Sequence, residues 1–550
     1  MSVAAFFLAA LNVCVSVVEP LPGEKWWGGA PIAGEKSALP YTTTAKKVDL
    51  SRSYGGTTSP FFVSTAGRYI WSDRPFAYSF KDGVLQIESD QGPIKPIVAG
   101  KTLKEAYLAA CRKHFPFNSK IPAELFFTKP MWNNWIEIAV NGMRQEVVDR
   151  YTDELAESGF PCGVYIMDGG WMKYHGSFEP HPEYFPDLKA MFEKVHGHGW
   201  KAMIWTSYFL SPDSRKHKRL RYGPGYNKSE DGRDLLVYRR SMAGRELPLS
   251  SKKPGVFWWW SGTSTAWDLT YAPACDDYLR ELKSFARKYG IDGFKFDAGD
   301  PEPLMDVRFH DPEMEPVDFA HEYVKLGAEN FEYCEFRSGF KTGGLPVVQR
   351  LHDQGHTWKA LACINACLLN ESMIGSPYVV ADMVGGGLAG SYRPGGSFSE
   401  KLFLRLCAQQ ALHPMMQFSA APWRYLSAKG CEDAKALANL HVEFGPYILE
   451  LARHAAKTGE PIARPMEYEF PHQGFEGEST QYMLGPKWLV ANVVREDDSV
   501  TVRLPAGRWR DDLGKMHEGP KTLELRDVPL SRVPRFEKIA CGPRCAHECK

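Results

Sequence analysis

The chain has 550 residues, and its 66 Lys and Arg residues balance 66 Asp and Glu residues, so the formal net charge is zero. This length exceeds one ordinary domain and favours one large domain with smaller domains attached. A neutral chain lacks the electrostatic footprint of a protein that binds nucleic acid or acidic membranes, so no nucleic-acid partner is expected.

The first twenty residues carry a targeting-like pattern. Val3 to Val18 are mostly apolar and are followed by Glu19 and Pro20, which suggests a signal peptide over 1–20, although the expected positive residues before it are missing. We therefore expect a secreted, periplasmic or secretory-pathway protein, with a cytoplasmic location as the alternative. No later stretch has 18 or more uncharged apolar residues, so no membrane-spanning segment is predicted.

Residues 21–125 predict an N-terminal β-sandwich, because short alternating stretches such as "GVLQIES" are separated by turn residues. Within this region, residues 102–116 have the apolar spacing of a helix. Helical spacing also extends over 426–460, and it is strongest over 433–457. Alternation returns over 461–550, which predicts a C-terminal β-sandwich followed by a cysteine-containing tail.

Between these regions, residues 126–425 alternate between helix-like and short apolar segments. The segments "CGVYIMD", "KAMIW" and "DGFKFD" are typical of strands, with amphipathic stretches around them. This alternation of strands and helices indicates a parallel barrel or a doubly wound sheet. A polar insert near 211–262, which ends in "FWWWSG", follows one predicted strand, where barrels carry the loops that shape their sites.

The twelve cysteines have no regular spacing and are too few for a disulfide scaffold. The body of the chain lacks a four-ligand zinc pattern, so neither a metal nor another cofactor is predicted. The last residues place Cys541, Cys545 and Cys549 beside His547, a group that could bind a metal or form a local disulfide. Incidental cysteines in an unstructured terminus explain it equally well, and we assign it no function.

Large polar or aromatic side chains stand at the ends of predicted strands. Asp168 follows "VYIM", Trp205 ends "KAMIW", and Asp297 follows "GFKF". In parallel barrels such positions share one crevice. A single Asp there is often a helix cap or a turn residue, but the succession favours a functional site.

The stretch "YGIDGFKFDAGD" is similar to the nucleophile segment of glycoside hydrolase family 31. In that family an Arg precedes the acid/base Asp by sixteen residues and another Asp follows it by twenty-nine, and Arg337, Asp353 and Asp382 reproduce both intervals. The resemblance extends over roughly 126–494, and "FKFDAG" and "ADMVGG" look most like the branch that contains α-galactosidases. It implies a (β/α)8 TIM barrel and α-glycoside hydrolysis.

The resemblance also implies a role for each site residue. Asp297 would be the nucleophile and Asp353 the acid/base, a pair of carboxyl groups that suits a retaining double displacement. We expect burial and the charge of Asp297 to keep Asp353 protonated near neutral pH. Sugar hydroxyls would be bound by Asp168, Asp382 and Arg337, with Arg337 in a structural ion pair as the alternative. Trp205 and Trp260 would pack against the sugar ring as walls of the pocket, unless these two residues belong to the core.

Three positions depart from the pattern of the family's α-glucosidases. Lys295, two residues before the nucleophile, and Arg350, three before Asp353, stand where Trp is common, and Ser419 lies near the position of a pocket histidine. A Lys can donate to an axial O4, as in galactose, but it can equally pair with an anionic substituent. We therefore predict an exo-acting α-galactosidase whose substrate is a carbohydrate with a terminal α-linked sugar.

Three alternatives stay open at this point. The first is another specificity of the same chemistry, namely an α-glucosidase, an α-xylosidase or a transglycosylase. The second is a non-catalytic carbohydrate-binding or chaperone-like protein, but such a protein would not need both Asp297 and Asp353. The third is a metal-dependent barrel enzyme, which a His-rich ligand set would indicate, and the matched loops have none.

Overall fold

A computed structural model describes residues 13–32, 39–42, 44–222, 235–248, 250–251 and 253–539. At its centre, eight parallel strands close into a barrel, which confirms the predicted (β/α)8 fold. The strands are almost entirely buried, as expected for parallel strands covered on both faces. In chain order they are β1 (Met131–Asn133), β2 (Val164–Met167), β3 (Lys201–Thr206), β4 (Gly293–Phe296), β5 (Tyr333–Phe336), β6 (Val348–Arg350), β7 (Val379–Met383) and β8 (Met415–Phe418).

Helices surround the barrel in the usual order, with one departure between β5 and β6. In that fully described connection, Gly339–Phe340 instead forms a short strand that pairs in parallel with Thr57–Thr58 of the N-terminal region. The connection therefore attaches the N-terminal domain to the barrel. The helices are Trp135–Asn141, Gln145–Ser158, Leu188–Gly197, Ala272–Tyr289, Pro316–Asn330, Trp358–Met373, Glu400–Gln410 and Pro422–Tyr425.

The insert after β3 forms a small substructure over the barrel mouth. Phe209–Leu210, Gly262–Ala266 and Phe257–Trp259 make a three-stranded sheet, which projects the tryptophan run toward the carboxyl ends of the barrel strands. The helix Arg215–Tyr222 and two short strand pairs complete it. Those pairs are Tyr238–Arg239 with Val307–Arg308 and Ser241–Met242 with Arg245–Glu246.

The N-terminal region is a sandwich of two four-stranded sheets, followed by the helices Leu103–His114 and Leu125–Thr128. One sheet contains Cys14–Val18, Val84–Ser89, Ala77–Lys81 and Thr44–Asp49, and the other contains Trp26–Gly28, Phe61–Ser64, Arg68–Trp71 and Ile97–Val98. Cys14–Val18 lies within the segment suggested as a signal peptide, yet it pairs with Val84–Ser89 as an edge strand. The rest of that segment up to residue 12 lies outside the described residues.

The C-terminal region begins with the long helix Ala428–Thr458. Six antiparallel strands follow in one continuous sheet, in the region for which the sequence predicts a C-terminal β-sandwich. Its strands are Ala463–Pro465, Gln481–Leu484, Trp488–Ala491, Arg535–Ile539, Val500–Asp511 and Met516–Leu525, with the short helix Met466–Glu469 after the first. The cysteine-containing tail lies outside the described residues. Among the helices that the structure describes, none combines the length and apolarity needed to cross a membrane.

Candidate active site

A cavity of about 350 Å³ opens at the carboxyl ends of the barrel strands. Seven of the nine predicted site residues line it. The other two bond to lining residues, Trp205 to Asp297 and Asp382 to Arg350. The barrel thus gathers residues from strands that are far apart in sequence. The lining residues are Trp135, Asp168, Trp260, Lys295, Asp297, Arg337, Arg350, Asp353 and Met383.

Asp297 follows β4 and is held by donors on both carboxylate oxygens. The Nε atom of Arg337 and the backbone amide of Ala298 donate to Oδ1 at 3.1 and 2.8 Å, and Nε1 of Trp205 donates to Oδ2 at 3.1 Å. Burial alone would raise the pKa of Asp297, but Arg337 and then Lys295 outweigh it and lower the pKa. Asp297 is therefore an oriented carboxylate anion at neutral pH.

Arg337 connects this carboxylate to the N-terminal domain. Its Nη1 atom donates to the carbonyl oxygen of Gly55 at 2.8 Å, and its guanidinium also forms an ion pair with Asp300. The hydroxyl of Ser53 donates to the same Asp300 carboxylate at 2.7 Å. An N-terminal loop thus completes the hydrogen bonding of a site residue. Arg337 lines the cavity and also forms ion pairs, and its predicted bond to a sugar hydroxyl stays a prediction.

The surroundings of Asp353 favour its ionised form, in contrast to the expectation of a protonated acid. Its side chain is 46% exposed, and its Oδ1 accepts a hydrogen bond of 2.8 Å from Nη1 of Arg350. Burial would raise the pKa of Asp353, but Arg350 and then Lys295 oppose it and lower the pKa to about 2. The expectation considered the charge of Asp297 without the nearby cations.

Asp382 contacts Arg350 and is not among the residues that line the cavity, so its predicted contact with sugar hydroxyls stays a prediction. Its side chain is fully buried, and Oδ1 accepts 2.8 Å from Nη1 of Arg350. The backbone amides of Gln354 and Gly387 donate to Oδ2 at 2.8 and 2.9 Å. Both oxygens are thus occupied by protein donors, so Asp382 positions Arg350.

Asp168 and Lys295 form a nearly buried ion pair in the cavity wall. The Nζ atom of Lys295 lies 2.5 Å from Oδ2 of Asp168, which also accepts 2.9 Å from the side-chain amide of Asn133. Below them, the buried Glu335 carboxylate lies 3.5 Å from Nε of Arg350 and accepts 2.6 Å from Nε2 of Gln417. Each cavity cation therefore has a carboxylate partner.

The aromatic side chains form one side of the cavity. Trp260 is 57% exposed, and its ring meets that of Trp205 edge to face with centroids 5.7 Å apart. Trp205 itself is buried and stacks on Trp259 at 6.0 Å. The opposite side includes Trp135, whose Nε1 atom donates 2.7 Å to the carbonyl oxygen of Gly387. Trp260 is thus a cavity wall, whereas Trp205 supports that wall and Asp297.

Some residues of the site were not singled out from the sequence. Asn133 and Trp135 belong to "MWNNW", where a polar pair after the first barrel strand was a usable signal. Glu335 was marked only by being an acidic residue inside an apolar strand, and Met383 had no signal. Ser419, linked from the sequence to a pocket position, is fully buried, and its hydroxyl accepts 2.8 Å from the backbone amide of Ile136. It supports the first turn of the helix Trp135–Asn141 and is not among the residues that line the cavity.

A closed parallel barrel with carboxylates and cations at its strand ends belongs to the class of TIM-barrel proteins with a site at the carboxyl face. Two family descriptions match the chain: "Glycosyl hydrolases family 31 TIM-barrel domain" over residues 130–451 and "Glycosyl hydrolase family 31 C-terminal domain" over 459–538. Because the first covers more than half of the chain, the protein belongs to glycosyl hydrolase family 31.

Relatives and solved structures agree with this assignment. The mouse myogenesis-regulating glycosidase is 26% identical over 447 residues, covering 79% of this chain and 59% of the relative. Alpha-xylosidase XylQ of Lactiplantibacillus pentosus is 23% identical over 88% of this chain and 64% of its own length. The chain thus spans less than two thirds of these relatives. The structure of a GH31 alpha-xylosidase from a soil metagenome, complexed with xylose, has the same fold, with a TM-score of 0.78 and 19% identity over 96% of this chain and 80% of that one.

Proposed function

We propose that this protein is a retaining, exo-acting α-glycoside hydrolase that works by double displacement. The observation that carries the proposal is that Asp297 and Asp353 line one cavity in different environments. The side chain of Asp297 is only 15% exposed and is fixed by three donors, as suits a nucleophile. Asp353 is half exposed at the mouth, where a leaving group and then water would pass. Such a division of roles is typical of retaining glycosidases.

In the first step, Asp297 attacks the anomeric carbon and Asp353 donates a proton to the departing oxygen. The ester then formed neutralises the charge of Asp297, and Asp353 removes a proton from the incoming water. Arg350 opposes the first step, because it stabilises the ionised form of Asp353. We infer that a bound leaving group shields Asp353 from Arg350, which remains paired with Asp382 and Glu335.

The charges around the cavity favour a neutral sugar. Lys295 pairs with Asp168, Arg337 with Asp297 and Asp300, and Arg350 with Asp353 and Asp382. An anionic substituent would have to compete with these carboxylates for every cation. This argues against the anionic sugar substituent that the sequence left open for Lys295.

For the sugar itself we propose a terminal α-galactoside. The support is Lys295, which lines the cavity and has ammonium hydrogens beyond the one directed at Asp168, so it can donate to a hydroxyl. An α-glucosidase or α-xylosidase is the second candidate, favoured by the names of several relatives, including "Alpha-xylosidase" and "Alpha-glucosidase". Transfer to another sugar also fits this chemistry, and one relative is named "Isomaltosyltransferase".

The chemistry is tested by incubation with 5-fluoro α-galactosyl and α-glucosyl fluorides. Inactivation should add one fluorosugar mass to the peptide that contains Asp297, and Asp297→Asn should prevent the labelling. The first sugar released from an aryl α-glycoside, followed by NMR, should be the α-anomer. Release of the β-anomer would mean a single displacement and would refute the nucleophile assignment. Relative rates on aryl α-galactoside, α-glucoside and α-xyloside decide the specificity.

A further inference from the structure

Three potential ligand side chains converge in the C-terminal region, away from the catalytic cavity. Glu467 lies in the helix Met466–Glu469, and His472 and Glu476 lie in the loop that follows. One nitrogen or oxygen from each side chain lies within 4.8 Å of the other two. The proposed hydrolysis uses none of them.

Glu467 is an unusual carboxylate in this position. Its side chain is fully buried, and its Oε1 atom accepts a hydrogen bond of 2.9 Å from the backbone amide of His472. Its Oε2 atom is also buried and has no hydrogen-bond partner among the described residues. A buried carboxylate oxygen without a donor is costly, so this arrangement calls for a proton or a cation beside it.

The hydrogen bonding of the His472 imidazole also favours a cation beside Glu467. Its Nε2 atom lies 3.0 Å from the carbonyl oxygen of Lys101, and because a carbonyl only accepts, Nε2 must carry the hydrogen. In the neutral ring, Nδ1 then presents a lone pair, and it lies 3.7 Å from Oε1 of Glu467. Two acceptors therefore face each other. In many metal sites, a histidine that binds the ion through one ring nitrogen donates a hydrogen bond from the other to a backbone carbonyl, which fixes the ring.

We propose that Glu467, His472 and Glu476 bind one divalent transition-metal ion, with Zn²⁺ as the preferred ion. One imidazole nitrogen and two carboxylate oxygens form a ligand set that Zn²⁺ accepts, with water in the fourth position. Bonds of about 2.0–2.2 Å would draw the ligand atoms to about 3.5 Å from one another. The ion would satisfy Glu467 and, through the bond from His472 to Lys101, fasten this loop to the segment before the helix Leu103–His114.

The test uses the full chain with Cys541, Cys545 and Cys549 changed to Ser, so that thiols of the tail cannot account for bound Zn²⁺. We expect this protein to bind one Zn²⁺ per chain in calorimetric titration and to melt at a higher temperature with Zn²⁺. Co²⁺ should give the visible absorption of a bound, low-symmetry ion. His472→Asn and Glu467→Gln should each weaken Zn²⁺ binding at least about tenfold. His454→Asn removes an exposed histidine outside the cluster and should leave binding unchanged.

Absence of Zn²⁺ binding by the variant that lacks the three tail cysteines would overturn the proposal. The proposal would also be overturned if His472→Asn and Glu467→Gln both bound Zn²⁺ as tightly as the protein in which only the tail cysteines are changed. His472 is exposed, so His472→Asn should fold even if Glu467→Gln does not, and circular dichroism checks both. The result does not depend on whether the chain hydrolyses glycosides, because binding and melting are measured without substrate.

Discussion

The Nη1 atom of Arg350 donates a hydrogen bond of 2.8 Å to Oδ1 of Asp353. Since Asp353 must be protonated to assist a poor leaving group, this ion pair should limit activity at high pH. Arg350→Gln removes the opposing charge and should move the basic limb of kcat/KM upward by about 1–3 pH units. The profile should be measured with an unactivated disaccharide.

Arg350→Lys is the matched control, because it keeps the positive charge and should leave the basic limb close to that of the parent protein. Arg350→Gln also leaves Glu335 and Asp382 without their cation, so its melting temperature should fall. If the basic limb of kcat/KM does not move in Arg350→Gln, Arg350 does not control the protonation of Asp353.

Arg337 should control the acidic limb of the pH profile of kcat/KM. Its guanidinium favours the ionised form of Asp297, and the folded protein keeps the pKa of Asp297 below its usual value. Arg337→Met should therefore raise this pKa and shift the acidic limb of kcat/KM to higher pH. A nitrophenyl α-glycoside is the appropriate substrate, because its leaving group needs no proton and reports on the nucleophile alone. An unchanged acidic limb, with normal folding, would contradict this.

The sequence predicted the residues at the strand ends but not which of the site residues form ion pairs with one another. Asp168 and Asp297 were predicted because each follows a short apolar segment, and strand order in a parallel barrel brings such positions together. Asp353 lies beyond the end of β6, and only the family spacing identified it. The contact between Ser53 and Asp300 joins residues 247 positions apart through a turn of the N-terminal domain, and no periodicity encodes such a contact.

Arg350 illustrates why side-chain roles were harder to predict than positions. It lines the cavity as predicted, but it bonds to Asp353 three residues away and to Asp382 on the neighbouring strand β7. The protonation state of Asp353 depends on which cation faces it, and that follows from rotamers and strand register. The composition of the sequence and the spacing of its residues specify neither the rotamers nor the strand register.

Lys295 is expected to distinguish galactosides from glucosides. Lys295→Met removes the donor while keeping a similar length, and Asp168 retains its hydrogen bonds from Asn133 and the Gly169 amide. Loss of one hydrogen bond to a substrate hydroxyl costs roughly 1–3 kcal/mol, or roughly 5- to 150-fold in rate. The galactoside-to-glucoside ratio of kcat/KM should fall by that factor. If both substrates lose activity equally, Lys295 serves only to hold Asp168.

Glu371 should make the stability of the protein depend on pH. Burial raises its pKa from about 4.5 to about 8 in the folded protein, against opposing hydrogen bonds from Thr57 and Ser376. Because the folded pKa is the higher one, its contribution is fully present below pH 4.5 and is lost as pH rises through about 8.

Glu371→Gln cannot titrate and should melt at a temperature that declines less between about pH 5 and 9 than that of the parent protein. The exposed Glu329→Gln, in the helix Pro316–Asn330, serves as the control and should follow the parent curve. Parallel curves for parent and Glu371→Gln would show that Glu371 does not titrate in this range.

Asp353→Ala tests the second carboxylate of the double displacement. Nitrophenyl α-glycosides need no proton, so this variant should still form the ester on Asp297, but water should open the ester slowly without its base. A burst of nitrophenol followed by a slow steady rate is expected, and azide should raise that rate and yield the α-glycosyl azide. The azide product has the α configuration because Asp297 has already inverted the centre once. Asp297→Ala should show neither the burst nor the α-glycosyl azide. A β-glycosyl azide from Asp353→Ala would place the nucleophile and the base in the opposite order.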